Sequence, residues 1–188
     1  LDNASHEWIL HLDADESLSP SLAREIKEIF SRDHMLFDGF IIPYEVHFLG
    51  KKMNYSGLGD EKHLRLFRKS KASFSHSIVH EGIHLHGVAG NLKGKIIHRS
   101  YPDLKEYFEK FNIYTTMAAK KAFASGARYS ILRLASVPFE FCKRYFLKLG
   151  FLDGVDGLIW SLISSFYVAV KYFKLREYEK GRKPEEDA

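Results

Sequence analysis

Trp8-Ile-Leu-His-Leu-Asp-Ala-Asp-Glu16 runs from an apolar segment into three carboxylates within four residues. A short apolar run stopped by Ser17, Ser19 and Pro20 predicts a buried strand. Carboxylates closing such a strand fall at the rim of a sheet, where α/β folds bind ligands. Asp13 and Asp15 are two residues apart, and strand side chains repeat with period two, so both can point to one side. Two hard oxygen ligands at an open edge suit a divalent cation that substrate phosphates also hold. The same residues also suit a helix cap or a solvated turn, and the rest of the chain decides between these readings.

Ser17 to Ser31 reads as the clearest helix, with Ser19 as N-cap, Pro20 in the first turn and Leu22, Ile26, Ile29 and Phe30 on one face. A helix directly after a strand is the α/β signature. Phe37 to Leu49 reads as extended, with Pro43 marking an edge or a bend between two strands. Gly50-Lys51-Lys52 is a turn and Met53 to Gly59 a loop. His63 to Arg68 alternates as a strand, and its Arg65 and Arg68 suit phosphate oxygens or simply a solvated strand face. Lys95 to His98 is a short strand after a glycine-rich loop, and Asp103 to about Ser125 a second helix.

The 188 residues allow one domain with an appendage, and 45% hydrophobic with 28% charged content marks a globular chain. Residues 1–126 read as a partial α/β domain and 127–188 as a helical aromatic–basic tail. Between Lys120 and Gly150 stand seven Lys or Arg and one acid, Glu140, interleaved with Phe123, Tyr129, Phe139, Phe141, Tyr145 and Phe146. Leu158 to Val170 follows as an apolar run of 13 residues, shorter than the about 20 that span a bilayer. Basic and aromatic residues around a short apolar helix suit a membrane interface, or packing on the body or a partner. No nucleic-acid motif is visible. Cys142 stands alone, so the chain holds no disulfide of its own, which fits a reducing compartment. No signal peptide is visible, and a core-like strand as early as Trp8 predicts further strands upstream of Leu1.

His80-Glu-Gly-Ile-His84 matches the H-E-x-x-H pattern of zinc hydrolases. That pattern needs a helix; Gly82 sits inside it, and a third ligand at the extended spacing would fall at Gly90. The other reading makes Glu81 a general base, taking the proton of an acceptor hydroxyl while a cation at Asp13 and Asp15 neutralises a leaving diphosphate. A third reading is a non-catalytic, truncated domain whose tail docks on membrane or a partner.

The ordered set Trp8-Ile-Leu-x-Leu-Asp-Ala-Asp-Glu16, Leu64-Arg-Leu-Phe-Arg68, Val79-His-Glu81, Ile97-His98-x-x-Tyr101 and Phe151-Leu-Asp-Gly-Val-Asp-Gly157 resembles family 2 glycosyltransferases. Within them it is most similar to the bacterial branch that builds lipopolysaccharide core and other envelope glycans. The resemblance implies an α/β fold: the C-terminal part of a GT-A (Rossmann-like) mixed sheet with flanking helices, followed by an amphipathic helical tail. It implies preceding strands that bind the nucleotide base. It implies an inverting transferase that takes a nucleotide-sugar donor with Mg²⁺ or Mn²⁺ and a glycan or lipid-linked acceptor. By analogy Asp13 and Asp15 hold the metal and diphosphate, Arg65 and Arg68 contact donor or acceptor, and Glu81 is the base. His98 is a further metal or diphosphate contact or a core histidine. The implied location is cytoplasmic, peripheral at the inner face of the plasma membrane.

Overall fold

The structure is a computed structural model that describes residues 4–31, 35–74 and 82–181. Its strands are β1 (Trp8–Leu10), β2 (Glu16–Leu18), β3 (Gly39–Phe48), β4 (Lys51–Lys52), β5 (Lys62–Arg68), β6 (Ala72–Phe74), β7 (Ile83–Leu85), β8 (Ala89–Asn91) and β9 (Ile96–Tyr101). Its helices are α1 (Pro20–Phe30), α2 (Leu104–Ala124), α3 (Ser136–Cys142) and α4 (Val155–Glu179). The chain divides into two compact units: Leu1–His47 with Leu58–Ser100, and Phe48–Gly57 with Tyr101–Ala188.

The first unit is built on a mixed sheet in the order β1-β5-β3-β9-β2. β1 with β5, β5 with β3 and β9 with β2 run antiparallel, while β8 lies parallel to β3. The α/β class expected from the sequence is what the structure has. β3 alternates cleanly: Phe40, Ile42, Tyr44 and Val46 point inward and meet Leu22, Leu66, Leu92 and Ile96 in the core. Ser19 caps α1 as expected, its Oγ accepting from the Leu22 N–H at 3.2 Å, and Leu22 is fully buried. The same Oγ accepts from Lys95 N–H, and the Glu25 carboxylate accepts from Lys93 and Gly94 N–H, so α1 also anchors the approach to β9. A Cβ on Gly94 would lie 2.4 Å from Leu22 Cα, which is why glycine stands there.

Several local expectations change. Ser17 and Leu18 belong to β2, not to the helix, because they pair with Ile97 and Ile96. Pro43 does not divide β3, which runs unbroken from Gly39 to Phe48 with Pro43 opposite Lys62. β1 is half-buried, since it ends the strand order with β5 as its partner.

In the second unit α2 and α4 pack together, and Asp103 caps α2, its carboxylate accepting from Glu106 N–H at 2.8 Å. The apolar run read as 13 residues is the middle of a 25-residue α4, which by length and composition alone is long enough to cross a membrane. The buried residues of α4 are small ones, Gly157, Ser161, Ser164, Ser165 and Ala169, with Leu175 near its C-terminal end. The Asp153 carboxylate is buried and accepts from the N–H groups of Asn54 (3.1 Å) and Tyr55 (2.9 Å), tying the Asp-Gly-Val-Asp-Gly segment to the loop after β4.

Candidate active site

The turn after β1 is closed by its own residues. The Glu16 N–H donates to the Asp13 carbonyl at 3.0 Å, and the Glu16 carboxylate accepts from the Asp13 N–H at 3.0 Å. Strands grip the turn on both sides: the His11 N–H donates to the Arg65 carbonyl at 2.8 Å, and the Arg99 N–H donates to the Asp15 carbonyl at 3.1 Å. Glu16 pairs directly opposite His98 across β2 and β9.

Arg65 is the hub of the site. On β3, Phe40 faces Leu66 and Ile41 faces Leu64, so Arg65 is the extra residue of a β-bulge. A bulge re-aims the side chain it carries. The guanidinium donates to Asp13 Oδ2 at 2.9 Å and to Glu16 Oε1 at 3.0 Å, and it also bonds the Tyr44 hydroxyl and His11 Nδ1. In a flat sheet β5 and β2 would lie three strand spacings apart, about 14 Å. One arginine side chain bridges them, so the sheet curls around Arg65 and Tyr44.

Tyr44 joins the two halves of the cluster, its ring lying 5.9 Å edge-on from His98, whose Nε2 is 3.5 Å from Asp15 Oδ2. Asp13, Asp15, Arg65 and His98 therefore form one connected group. Arg68 is placed differently: its guanidinium lies 4.9 Å over the Trp8 ring and 3.8 Å from Asp38. Glu81 and His80 lie outside the described residues. His84 stands in strand β7, paired with Ser73, so the second histidine of the H-E-x-x-H pattern is not on a helix.

The electrostatics separate the carboxylates. The Glu16 side chain is 1% exposed and the Arg65 side chain 13%, so that pair is a buried ion pair; Asp13 is 53% exposed. Burial would push the Asp13 carboxyl up, but the Arg65 hydrogen bond and charge, with His11 beside them, hold it below the usual range. Burial pushes the Tyr44 hydroxyl well up, so it stays a neutral partner. On the same side of β5 the Glu61 carboxyl is lowered, chiefly by its 3.0 Å hydrogen bond to His63.

Asp13 and Asp15, at 53% and 34% exposure, present part-exposed carboxylates two positions apart. A carboxylate carries about four lone-pair positions, so contacts to Arg65 and to His98 still leave acceptor capacity. Among the described residues no group of three or more His, Cys, Asp or Glu is placed to hold a metal. Two hard oxygen donors that leave the remaining positions to water and phosphate fit Mg²⁺ or Mn²⁺. His11, Glu16 and Tyr44 are the members that sequence reasoning did not assign; Tyr44 had a signal, since the period of β3 turns it inward and a buried tyrosine hydroxyl needs a partner.

No family model matches the chain. Its similarity is to bacterial glycosyltransferases. It is 30% identical over 183 residues to an uncharacterized glycosyltransferase of Rickettsia typhi, covering 92% of this chain and 63% of that protein. A Rickettsia prowazekii counterpart is 29% identical with the same coverage. The lipopolysaccharide core biosynthesis glycosyltransferase LpsC of Rhizobium meliloti is 27% identical over all of this chain and 71% of its own length. The chain thus spans somewhat less than two thirds of the Rickettsia relatives.

Proposed function

We propose that this chain carries the cation and acceptor side of an inverting glycosyltransferase of the family 2, GT-A type, moving a sugar from a nucleotide-sugar donor to a glycan or lipid-linked acceptor of the bacterial envelope. The observation that carries the reading is the Asp13–Glu16 turn, clamped by Arg65 at Asp13 and Glu16 and leaving the Asp13 and Asp15 carboxylates part-exposed, in a chain similar to glycosyltransferases over at least 92% of its length. Asp13 and Asp15 would hold Mg²⁺ or Mn²⁺, with His98 beside Asp15 as a further contact to the cation or the diphosphate. A bound divalent cation supplies charge neutralisation for a departing diphosphate. Arg65 keeps the turn in shape, and Arg68 is left to a peripheral contact with donor or acceptor. Glu81 takes the proton of the acceptor hydroxyl as that oxygen attacks the anomeric carbon; the bond from that carbon to the diphosphate breaks, and the configuration inverts. The protein works in the cytoplasm, at the inner face of the plasma membrane. The zinc-hydrolase reading has less support, because His84 lies in a strand.

The test is sugar transfer from a panel of labelled nucleotide-sugars to extracted envelope glycolipids, with the product anomer read by NMR. Transfer with inversion, lost at least about 100-fold in Glu81→Gln, supports the roles. Retention of configuration, or wild-type rates in Glu81→Gln, removes them.

A further inference from the structure

The segment from Ile131 to Leu147 winds as one helical stretch, a 3-10 turn, then α3, then a wider π turn. Its polarity is reversed. The face turned to solvent repeats at helical spacing through Leu132, Ala135, Pro138, Phe139, Cys142, Phe146 and Leu147. Leu132 is 82% exposed, Leu147 72% and Phe139 62%. The charged pair is on the other side: Arg144 Nε donates to Glu140 at 2.7 Å, and Arg144 Nη1 donates to the Ser56 carbonyl at 3.1 Å while its guanidinium lies over Trp160. A helical face of this kind does not arise to face water, because a soluble helix places these residues the other way round.

The charge of the segment says what covers it. Between Arg128 and Phe151 stand Arg128, Arg133, Lys143, Arg144 and Lys148 against the single acid Glu140, which Arg144 and Lys143 neutralise. Arg133, Lys143 and Lys148 are exposed in the same segment as the apolar face. Bulky apolar side chains fringed by cations fit the boundary between acyl chains and anionic headgroups. A second copy of the chain would bring the same positive fringe against itself. α4 repeats the reversal, with Val155, Leu162, Phe166 and Phe173 exposed and its small residues buried.

We infer that the Leu132–Leu147 face is the surface on which this protein lies in an anionic bilayer, with Leu132, Phe139, Phe146 and Leu147 inserted and Arg133, Lys143 and Lys148 at headgroup level. This deepens the peripheral-membrane part of the function proposed above and is independent of the transfer chemistry.

The test is flotation of the full chain with phosphatidylcholine vesicles, with and without phosphatidylglycerol, at low and high salt. The expected result is binding that requires phosphatidylglycerol, weakens with salt, and falls about tenfold or more in Phe139→Ser/Leu147→Ser. Ile113→Ser, an exposed apolar residue on α2, is the control and leaves binding unchanged. Circular dichroism checks that each variant folds. Wild-type binding in the double variant overturns the assignment of this face while sparing the membrane reading. No flotation of the wild type overturns both. Dimerisation abolished by the double variant, without vesicle binding, shows that a second copy covers the face and overturns the inference.

Discussion

Replacing Arg65 by Met removes the hub of the candidate site while keeping most of its volume. Its arms differ in worth. The arm to Asp13 ends on a carboxylate that is 53% exposed, so solvent screens it and it contributes about 0–1 kcal/mol. The arm to Glu16 ends on a carboxylate 1% exposed, and breaking a buried pair by removing one partner costs about 3–5 kcal/mol, because the remaining charge has no water to return to. The Glu16 arm therefore decides the outcome. The assay is urea unfolding followed at Trp8 in a Trp160→Phe background, so that fluorescence reports the first unit. A loss of about 4 kcal/mol lowers the midpoint by about 2 M for a slope near 2 kcal/mol/M. Adding Glu16→Gln to Arg65→Met should recover most of the loss, since the stranded charge is then gone. A single-variant loss below about 1 kcal/mol, or a double variant no more stable than the single, would refute the claim that a buried ion pair holds the turn.

Other consequences can be measured separately. The Glu61 carboxyl is lowered by His63, so its contribution is present above the ordinary value of 4.5 and is lost as pH falls through the lower folded value; Glu61→Gln should therefore lower stability at pH 7 and flatten the stability-against-pH curve below about pH 4.5, where the two proteins converge. Asp153→Ala strands the Asn54 and Tyr55 N–H groups and should cost about 1–3 kcal/mol, seen as faster hydrogen exchange at those two amides. Gly157→Ala would bring a Cβ to 1.9 Å from the Gly150 carbonyl oxygen and should lower the stability of the second unit by about 1–3 kcal/mol or more, read by thermal unfolding followed at Trp160.

Local signals carried much of this fold. Ser19-Pro20 and Asp103 are caps that act within a few residues, so both helix starts could be read directly. The extended reading of Phe37 to Leu49 matches β3, whose period of two then sets which residues face the core. What remained hidden depended on partners far along the chain. The strand at Glu16–Leu18 exists because β9 pairs with it some 80 residues later, and no feature of Glu-Ser-Leu announces that. Arg65 looked like a ligand for phosphate because its strand seemed regular; the bulge that turns it onto Glu16 is visible only once β3 is in register. The length of α4 was underestimated because charge and aromatic content interrupt its apolar run, while most of its buried stripe, Leu175 apart, is glycine, serine and alanine.

The acidic turn is the centre of the functional account, and sugar transfer by Asp15→Asn tests it most directly. Asp15 touches His98 but does not carry the Arg65 clamp, so the variant should fold with unchanged urea stability. With a wild-type protein that carries this chain together with the strands that bind the nucleotide base, label should pass from a nucleotide-sugar to envelope glycolipid in the presence of Mg²⁺ or Mn²⁺. The account predicts that Asp15→Asn, equally stable, loses this transfer at least about 100-fold. Transfer at the wild-type rate in a folded Asp15→Asn protein would contradict it.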